Sequence, residues 1–326
     1  MSLAADALQP FITRELASIA GPTQTATLAD VIISRTAAYD LDFDDAKGSI
    51  TVDFRESNVI VSALAADCCR FSFASFQTVA LVASEIMQRD NVAWSLVKLY
   101  YSAFYAGHVL IRIFGEGCSF FDRQHVARLT EIGAALGRER SFNIDPGLYR
   151  CVLKQNSTIL ECSKARGTVG GAHEAFWGIF GNRVRVMSEA ILTGSLVRTD
   201  AQAVFAQLDA LNDIIRRRAG YSWLSAVRND LQYRHHFGVW FPAQIRMNDR
   251  RILSRLAANW QRDPMHIDLD ANRLGLLGEF TSCCIFIIAL CHAMLIRLDE
   301  RSAVGARSFV RIGPMAFLND IKPRMA

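Results

Sequence analysis

The sequence predicts a mostly α-helical protein with a small mixed part at its N-terminus. Three observations carry this. Residues 92–115 (VAWSLVKLYYSAFYAGHVLIRIFG) place Leu96, Leu99, Tyr100, Ala103, Ala106, Gly107, Leu110 and Phe114 at helical spacing. Residues 280–296 (FTSCCIFIIALCHAMLI) run without a formal charge, as the central helix of a helical domain does. Runs rich in β-branched residues are confined to SITVDF (49–54) and NVIVSAL (58–64), which read as strands.

In chain order, a helical stretch to about Ile19 precedes a polar region and the two strand-like runs. The acidic run DLDFDD (40–45) with Gly48 reads as a solvated turn, because it lacks the spacing and closing Glu of a calcium loop. Asp90 or Asn91 is placed to cap the helix 92–115, and Gly115 and Gly117 to end it. The small residues 103, 106 and 107 let another backbone come close to that helix. Asp122 caps a helix over 123–137. GTVGG (167–171) has neither a following G-K-[ST] nor the order G-x-G-x-x-G, so it reads as a loop before a helix 172–194. Asp200 opens a helix 201–219, whose end RRR (216–218) reads as a solvated complement to the helix dipole. A segment helical over 222–237 is broken by Gly238 and Pro242. A polar connection, 243–270, then leads to the apolar helix 272–299.

Composition narrows the classes. The chain has 326 residues, 51% hydrophobic and 21% charged, with 7 Pro and 20 Gly, which excludes a disordered or collagen-like chain. A net charge of +4 permits nucleic-acid binding without arguing for it, although the basic residues are mainly Arg, the side chain suited to gripping phosphate. The eight cysteines contain no C-x-x-C and lie mostly in apolar runs, so they read as small buried hydrophobes in a reducing compartment. MSLAADALQPFITRELASIA has no basic region followed by an apolar core, so no signal peptide is expected and the cytoplasm is the expected location. Thr281, Ser282, three Cys and His292 within 280–296, bracketed by Glu279 and Arg297, favour a buried core helix over a membrane span there.

The chemistry-bearing stretch is SAVRNDLQYRHHFGVW (225–240). On a helix, Arg228 and His235 lie about 20° off one line and ~10 Å apart along the axis. Leu224 and Leu231 share that stripe, so Arg228 and His235 interrupt an apolar seam facing a partner helix or subunit. One reading is structural: Arg228 pairs with a carboxylate and His235 hydrogen-bonds in the core. The other is chemical. A guanidinium holds a phosphodiester and offsets charge growing on its oxygens, while an imidazole moves a proton near neutral pH. RNA supplies its own nucleophile, the 2′-hydroxyl.

Other groups carry less. His235 and His236 with His266, Asp268 and Asp270 include metal-ligand types, but adjacent histidines face different ways and HIDLD has no metal spacing, so no metal is expected. His108 reads as a core histidine and His125 as part of a solvated helix start. Trp223, Trp240 and Phe241 read as core anchors, with base stacking as the alternative.

Arg228-Asn229 followed by His235 resembles the R-[polar]-x(4–6)-H motif of HEPN-domain ribonucleases. YYSAFYAGHVLIRIFG (100–115) is similar to the Y-Y-x-x-F-x-A-x-x-L-L helix of many HEPN domains. RNDLQYRHHFGVW (228–240) resembles a form found in a HEPN subgroup of bacterial plasmids and toxin or defence loci. Tyr105 stands where many of these helices carry His, and the chain is longer than a minimal HEPN bundle. The resemblance implies a HEPN-like helical bundle over 70–300, an N-terminal extension over 1–69 and a C-terminal tail over 301–326. It implies a homodimer that cuts RNA without metal or cofactor by 2′-hydroxyl attack, leaving a cyclic phosphate and a 5′-hydroxyl. Arg228 would then bind the phosphate, His235 transfer protons and Asn229 position substrate or histidine. Tyr233, Arg234 and His236 would contact RNA, and an antitoxin or regulatory protein would be a partner. A non-catalytic RNA- or protein-binding module of the same family is the alternative. A membrane-active effector using 280–296 is the third.

Overall fold

The computed structural model describes residues 2–21, 26–34, 39–44, 48–88, 91–138, 144–165, 171–217, 221–240, 244–270 and 275–325. Its helices and strands follow one another as α1 (Leu3–Leu8), α2 (Leu28–Ile32), β1 (Tyr39–Asp44), β2 (Ser49–Phe54), α3 (Ser57–Val79), α4 (Val82–Met87), α5 (Val92–Ile113), β3 (Glu116–Phe121) and α6 (Arg123–Ala135). Then come β4 (Gly147–Leu153), β5 (Ile159–Lys164), α7 (Gly171–Ile191), α8 (Arg198–Arg216), α9 (Trp223–Gln232), α10 (Met247–Ala257), α11 (Gly275–Glu300) and α12 (Ala316–Met325). The protein is mostly helical, as its periodicity predicts, with one small antiparallel sheet in the order β1-β2-β5-β4-β3.

Helix α5 is the centre. Val92, Leu96, Leu99, Tyr100, Ala103, Ala106, Leu110 and Ile113 are all buried, and α3, α4, α9 and α11 pack around them. Asn91 stands at the N-cap position without capping; its side-chain amide donates instead to Gln88 at 2.7 Å, and Asp90 lies outside the described residues. The small-residue face admits a ring rather than a backbone: a Cβ on Gly107 would stand 3.0 Å from Phe176 of α7. Gly115 ends the helix with φ +76°, a left-handed conformation that glycine adopts without steric cost. Gly117 already belongs to β3.

Helix α11 accounts for the uncharged run. From Gly278 to Leu295 nearly every residue is buried, against α5, α10 and α1. By length and apolar content both Gly275–Glu300 and Ser57–Met87 could cross a membrane, but 89% and 67% of their apolar windows are buried inside the protein. All eight cysteines are buried and none is in a disulfide; Cys151 and Cys162 face one another across β4 and β5.

Several expectations need correction. NVIVSAL is the first part of α3, not a strand. Ile60, Val61, Ala63, Leu64 and Ala65 are all buried, so the run points to a helix enclosed on several sides, and that burial outweighs the β-branched preference of Val59, Ile60 and Val61. The acidic run is not a turn; its residues 40–44 lie in edge strand β1. Asp40 and Asp42 face solvent while Leu41 is buried, an alternation with the strand period, and charges on an edge discourage pairing with another chain. The RRR end is solvated as expected, Arg216 and Arg217 both being exposed; Arg217 also pairs with buried Glu279 and lies 5.8 Å from the Trp223 ring, and Arg218 is outside the described residues. Strands β3, β4 and β5, helix α10 within the polar connection and helix α12 within the tail were not anticipated. The expected division at 69/70 falls inside α3, and β2 pairs with β5, so the first segment shares its sheet with the middle of the chain. Asp122 caps α6 as expected, accepting from the amides of Gln124 (2.8 Å) and His125 (2.9 Å).

Inside this enclosure α3 and α5 are joined by an ion pair. Asp67 and Arg112 are each 2% exposed, and the Arg112 Nε donates to Asp67 at 2.8 Å. Arg70 reaches the other Asp67 oxygen. The remaining Arg112 donors go to the His108 carbonyl and Nδ1 (3.1 and 3.0 Å) and to the Cys118 carbonyl (3.3 Å), and Phe71 covers the guanidinium at 4.6 Å. His108 is thus a satisfied core histidine, its pKa pushed well below the ordinary value by burial and then by Arg112. Asp67→Ala leaves a buried guanidinium uncompensated and is expected to cost about 3–5 kcal/mol. A urea unfolding midpoint equal to that of the wild type would refute this role.

Candidate functional site

Helix α9 is amphipathic, buries Trp223, Leu224, Val227 and Leu231, and packs on α5. Arg228 lies on this inward side, 8% exposed. Its guanidinium sits 5.3 Å from the Tyr100 ring, 5.8 Å from Tyr101 and 5.9 Å from Tyr233. Nη1 donates to Gln232 at 3.4 Å, and Nε is buried without a hydrogen-bond partner. Among the described residues no carboxylate pairs with it. Among the described residues the carboxylate-paired reading of Arg228 finds no partner; three ring faces flank the guanidinium instead.

Beside Arg228 lies a polar cluster that sequence reasoning missed. The Tyr100 hydroxyl accepts from Trp177 Nε1 at 3.1 Å and shares its proton and remaining lone pair with His173 Nδ1 (3.0 Å) and Ser225 Oγ (3.1 Å). His173 stacks on Phe104 at 4.3 Å and stands edge-on to Tyr101 at 5.8 Å. Its pKa falls to about 4, first through burial and then through the Arg228 charge, so the ring is neutral near pH 7. Burial raises the Tyr100 pKa, keeping the phenol protonated. A signal existed: His173 and Trp177 are four apart on α7, and Ser225 and Arg228 three apart on α9, so each pair shares a helix face.

The expectation that Arg228 and His235 share one helical stripe is overturned. Helix α9 ends at Gln232, and His235 takes a left-handed conformation (φ 54°, ψ 33°), as does Phe237 (φ 71°). The helix stops here because Trp240 Nε1 captures the Leu231 carbonyl at 2.6 Å, turning the chain back on itself. The His235 ring leans on Trp240 at 4.9 Å, and Trp240 meets Trp94 at 5.4 Å. Among the described residues no hydrogen bond or ring contact joins Arg228 to His235. Tyr233, Arg234, His235 and His236 are all exposed on this turn, and Arg234 pairs with Asp230 at 2.8 Å. Asn229 is exposed on the outer side of α9, away from its neighbour Arg228. Trp223 is buried against Phe280. Phe241 lies outside the described residues.

The site is therefore a guanidinium lined by tyrosines and a neutral histidine, at the foot of an exposed Tyr-Arg-His-His turn. Such a guanidinium can take an anion bidentately, and the flanking rings can face a base. Among the described residues no three His, Cys, Asp or Glu side chains converge as a metal set, and His266, Asp268 and Asp270 form none. No protein-family model matches the chain, and no curated protein and no solved structure matches it.

Because the His173 pKa is lowered from 6.5 in the unfolded chain to about 4 in the fold, its contribution to stability is full above pH 6.5 and lost as pH falls through 4. His108 acts in the same direction. His173→Gln is expected to flatten the loss over this window, taking up about one proton fewer on unfolding than wild type. Parallel stability curves for the two proteins would contradict the assignment.

Proposed function

We propose that the protein is a metal-independent endoribonuclease of HEPN type, a cytoplasmic homodimer acting in a toxin or phage-defence setting under an antitoxin or regulatory protein. The observation that carries this reading is Arg228. A guanidinium drawn largely out of water without a carboxylate is costly, and a bound phosphodiester offsets that cost. The R-N-x(5)-H motif and the Tyr-Tyr helix that supplies its ring faces support the same reading.

The chemistry follows from these groups. Arg228 holds the non-bridging oxygens and offsets charge that builds on them as the 2′-oxygen attacks phosphorus. His235 takes the proton of the 2′-hydroxyl. The P–O5′ bond breaks, the leaving oxygen takes a proton from water, His235 returns its own to solvent, and a 2′,3′-cyclic phosphate and a 5′-hydroxyl result. Tyr233, Arg234 and His236 contact the strand, and Asn229 positions it. Since one chain does not bring His235 onto Arg228, the site is completed between protomers, the exposed turn of one facing the Arg228 cleft of the other. Backbone strain at two non-glycine left-handed positions, 235 and 237 on either side of His236, fits a turn held for a purpose.

A second assignment inside this reading is favoured by His173, which is neutral, held by Tyr100 and under the influence of the Arg228 charge; it can take the proton in place of His235. Purified wild type, His235→Ala and His173→Ala incubated with mixed cellular RNA in EDTA separate the two. Wild type is expected to leave cyclic-phosphate ends, and His235→Ala to lose about 100-fold or more in rate while remaining a folded dimer. Loss confined to His173→Ala moves the proton transfer to that residue. RNA binding without cleavage by any of the three establishes the non-catalytic module instead.

A further inference from the structure

A second site lies away from α9, in a cavity of about 310 Å³ between the N-terminal segment 10–15, the end of α5, the β4–β5 hairpin and α7. Three of the side chains that line it, Arg14, Lys154 and Arg183, are basic, and two, Glu15 and Glu116, are acidic. Glu116 is 2% exposed, and its Oε2 receives Arg150 through Nε (2.9 Å) and Nη2 (2.8 Å). Arg183 stands 3.3 Å from its other oxygen. Two guanidinium groups thus share one carboxylate. Arg183 also donates from Nη2 to the Phe114 carbonyl at 3.2 Å, while its Nε is buried without a hydrogen bond. Burial lowers the Arg183 pKa, the direction expected of a cation not fully compensated.

The rim adds to this excess. Arg14 is exposed, with no carboxylate partner among the described residues, and Lys154 reaches Glu161 only at 3.7 Å. Glu15 is the one further acid lining the cavity. Pro10, Phe11 and Phe114 supply apolar walls, and Thr13, Asn156 and Ser157 supply hydrogen-bonding groups. Cations at one part, apolar faces at another and a volume at the lower end of the small-molecule range define a phosphate with an attached body.

We propose that this cavity binds a phosphorylated small molecule of mononucleotide size, its phosphate held by Arg183, Arg14 and Lys154 and its body against Phe11 and Phe114. The proposal does not depend on the nuclease reading, since none of these residues belongs to the α9 site. In the proposed complex the phosphate supplies the charge that Glu116 alone does not.

Isothermal titration of the full chain with nucleoside 5′-monophosphates, inorganic phosphate and unphosphorylated nucleosides tests it. The monophosphates are expected to bind, inorganic phosphate to bind more weakly, and nucleosides not to bind. Arg14→Ala, at an exposed position that does not endanger the fold, should weaken monophosphate binding about 10-fold or more, and Arg183→Gln should abolish it. Arg228→Ala should leave the Arg14-dependent binding in place, which separates this cavity from the α9 cleft. Absence of monophosphate binding at millimolar concentration overturns the proposal. So do equal affinities for monophosphate and nucleoside, unchanged binding by Arg14→Ala, or loss of binding in Arg228→Ala.

Discussion

Enclosure of α5 is the constraint on which the rest of the structure depends. A helix walled by α3, α4, α9 and α11 leaves its buried polar side chains no water, so each of those must find a protein partner. Ser102 exchanges hydrogen bonds with Ser75 of α3, each hydroxyl donating to the other residue's carbonyl at 2.9 Å. Arg112 finds Asp67 on the same helix, one end of α5 being thereby locked to α3. Tyr100, near the other end, finds Trp177 and His173 of α7 and Ser225 of α9. One phenol therefore fixes where two further helices stand, and with them the Arg228 cleft.

The contrast between two arginines gives the cleft its meaning. Arg112, on α5, and Arg228, packed against it, are both buried and both lie over aromatic rings. Arg112 has a buried carboxylate and a near-complete set of acceptors; removing Asp67 would expose the cost of a lone charge. Arg228 has ring faces, one long bond to Gln232 and an unpartnered Nε. Ring quadrupoles attract a cation but do not neutralise it. The first arginine is explained by the fold alone. In the proposed function the second receives an anion from outside, and that proposal rests on it rather than on the histidines of the turn.

The helical class, the enclosure of 280–296, the core face of α5, the Asp122 cap and strand β2 were all legible in the sequence, since each shows in spacing or in capping chemistry. What was not legible depends on long-range pairing. Strands β3, β4 and β5 are short; β5 pairs with β2 across about a hundred residues and β3 joins the far edge of the β4–β5 hairpin, and neither pairing leaves a local mark. The β-branched start of α3 gives a strand signal locally that only burial in the full fold reverses. At the site, Arg228 was found by its place in an apolar seam. His235 was misplaced because periodicity carried α9 past Gln232, where Trp240, eight residues beyond, ends it. His173 lay fifty-five positions from Arg228, and only the packing of α7 on α5 brings it near.

The central claim is that Arg228 is held for a ligand and not for the fold. Arg228→Met keeps the length and apolar contact of the side chain while removing its charge. Its unfolding free energy and its affinity for single-stranded RNA, measured side by side, test the claim most directly. Stability equal to the wild type or raised by about 1 kcal/mol, with RNA affinity lost, is the predicted result. A variant that is destabilised by several kcal/mol yet binds RNA as the wild type does would contradict the account.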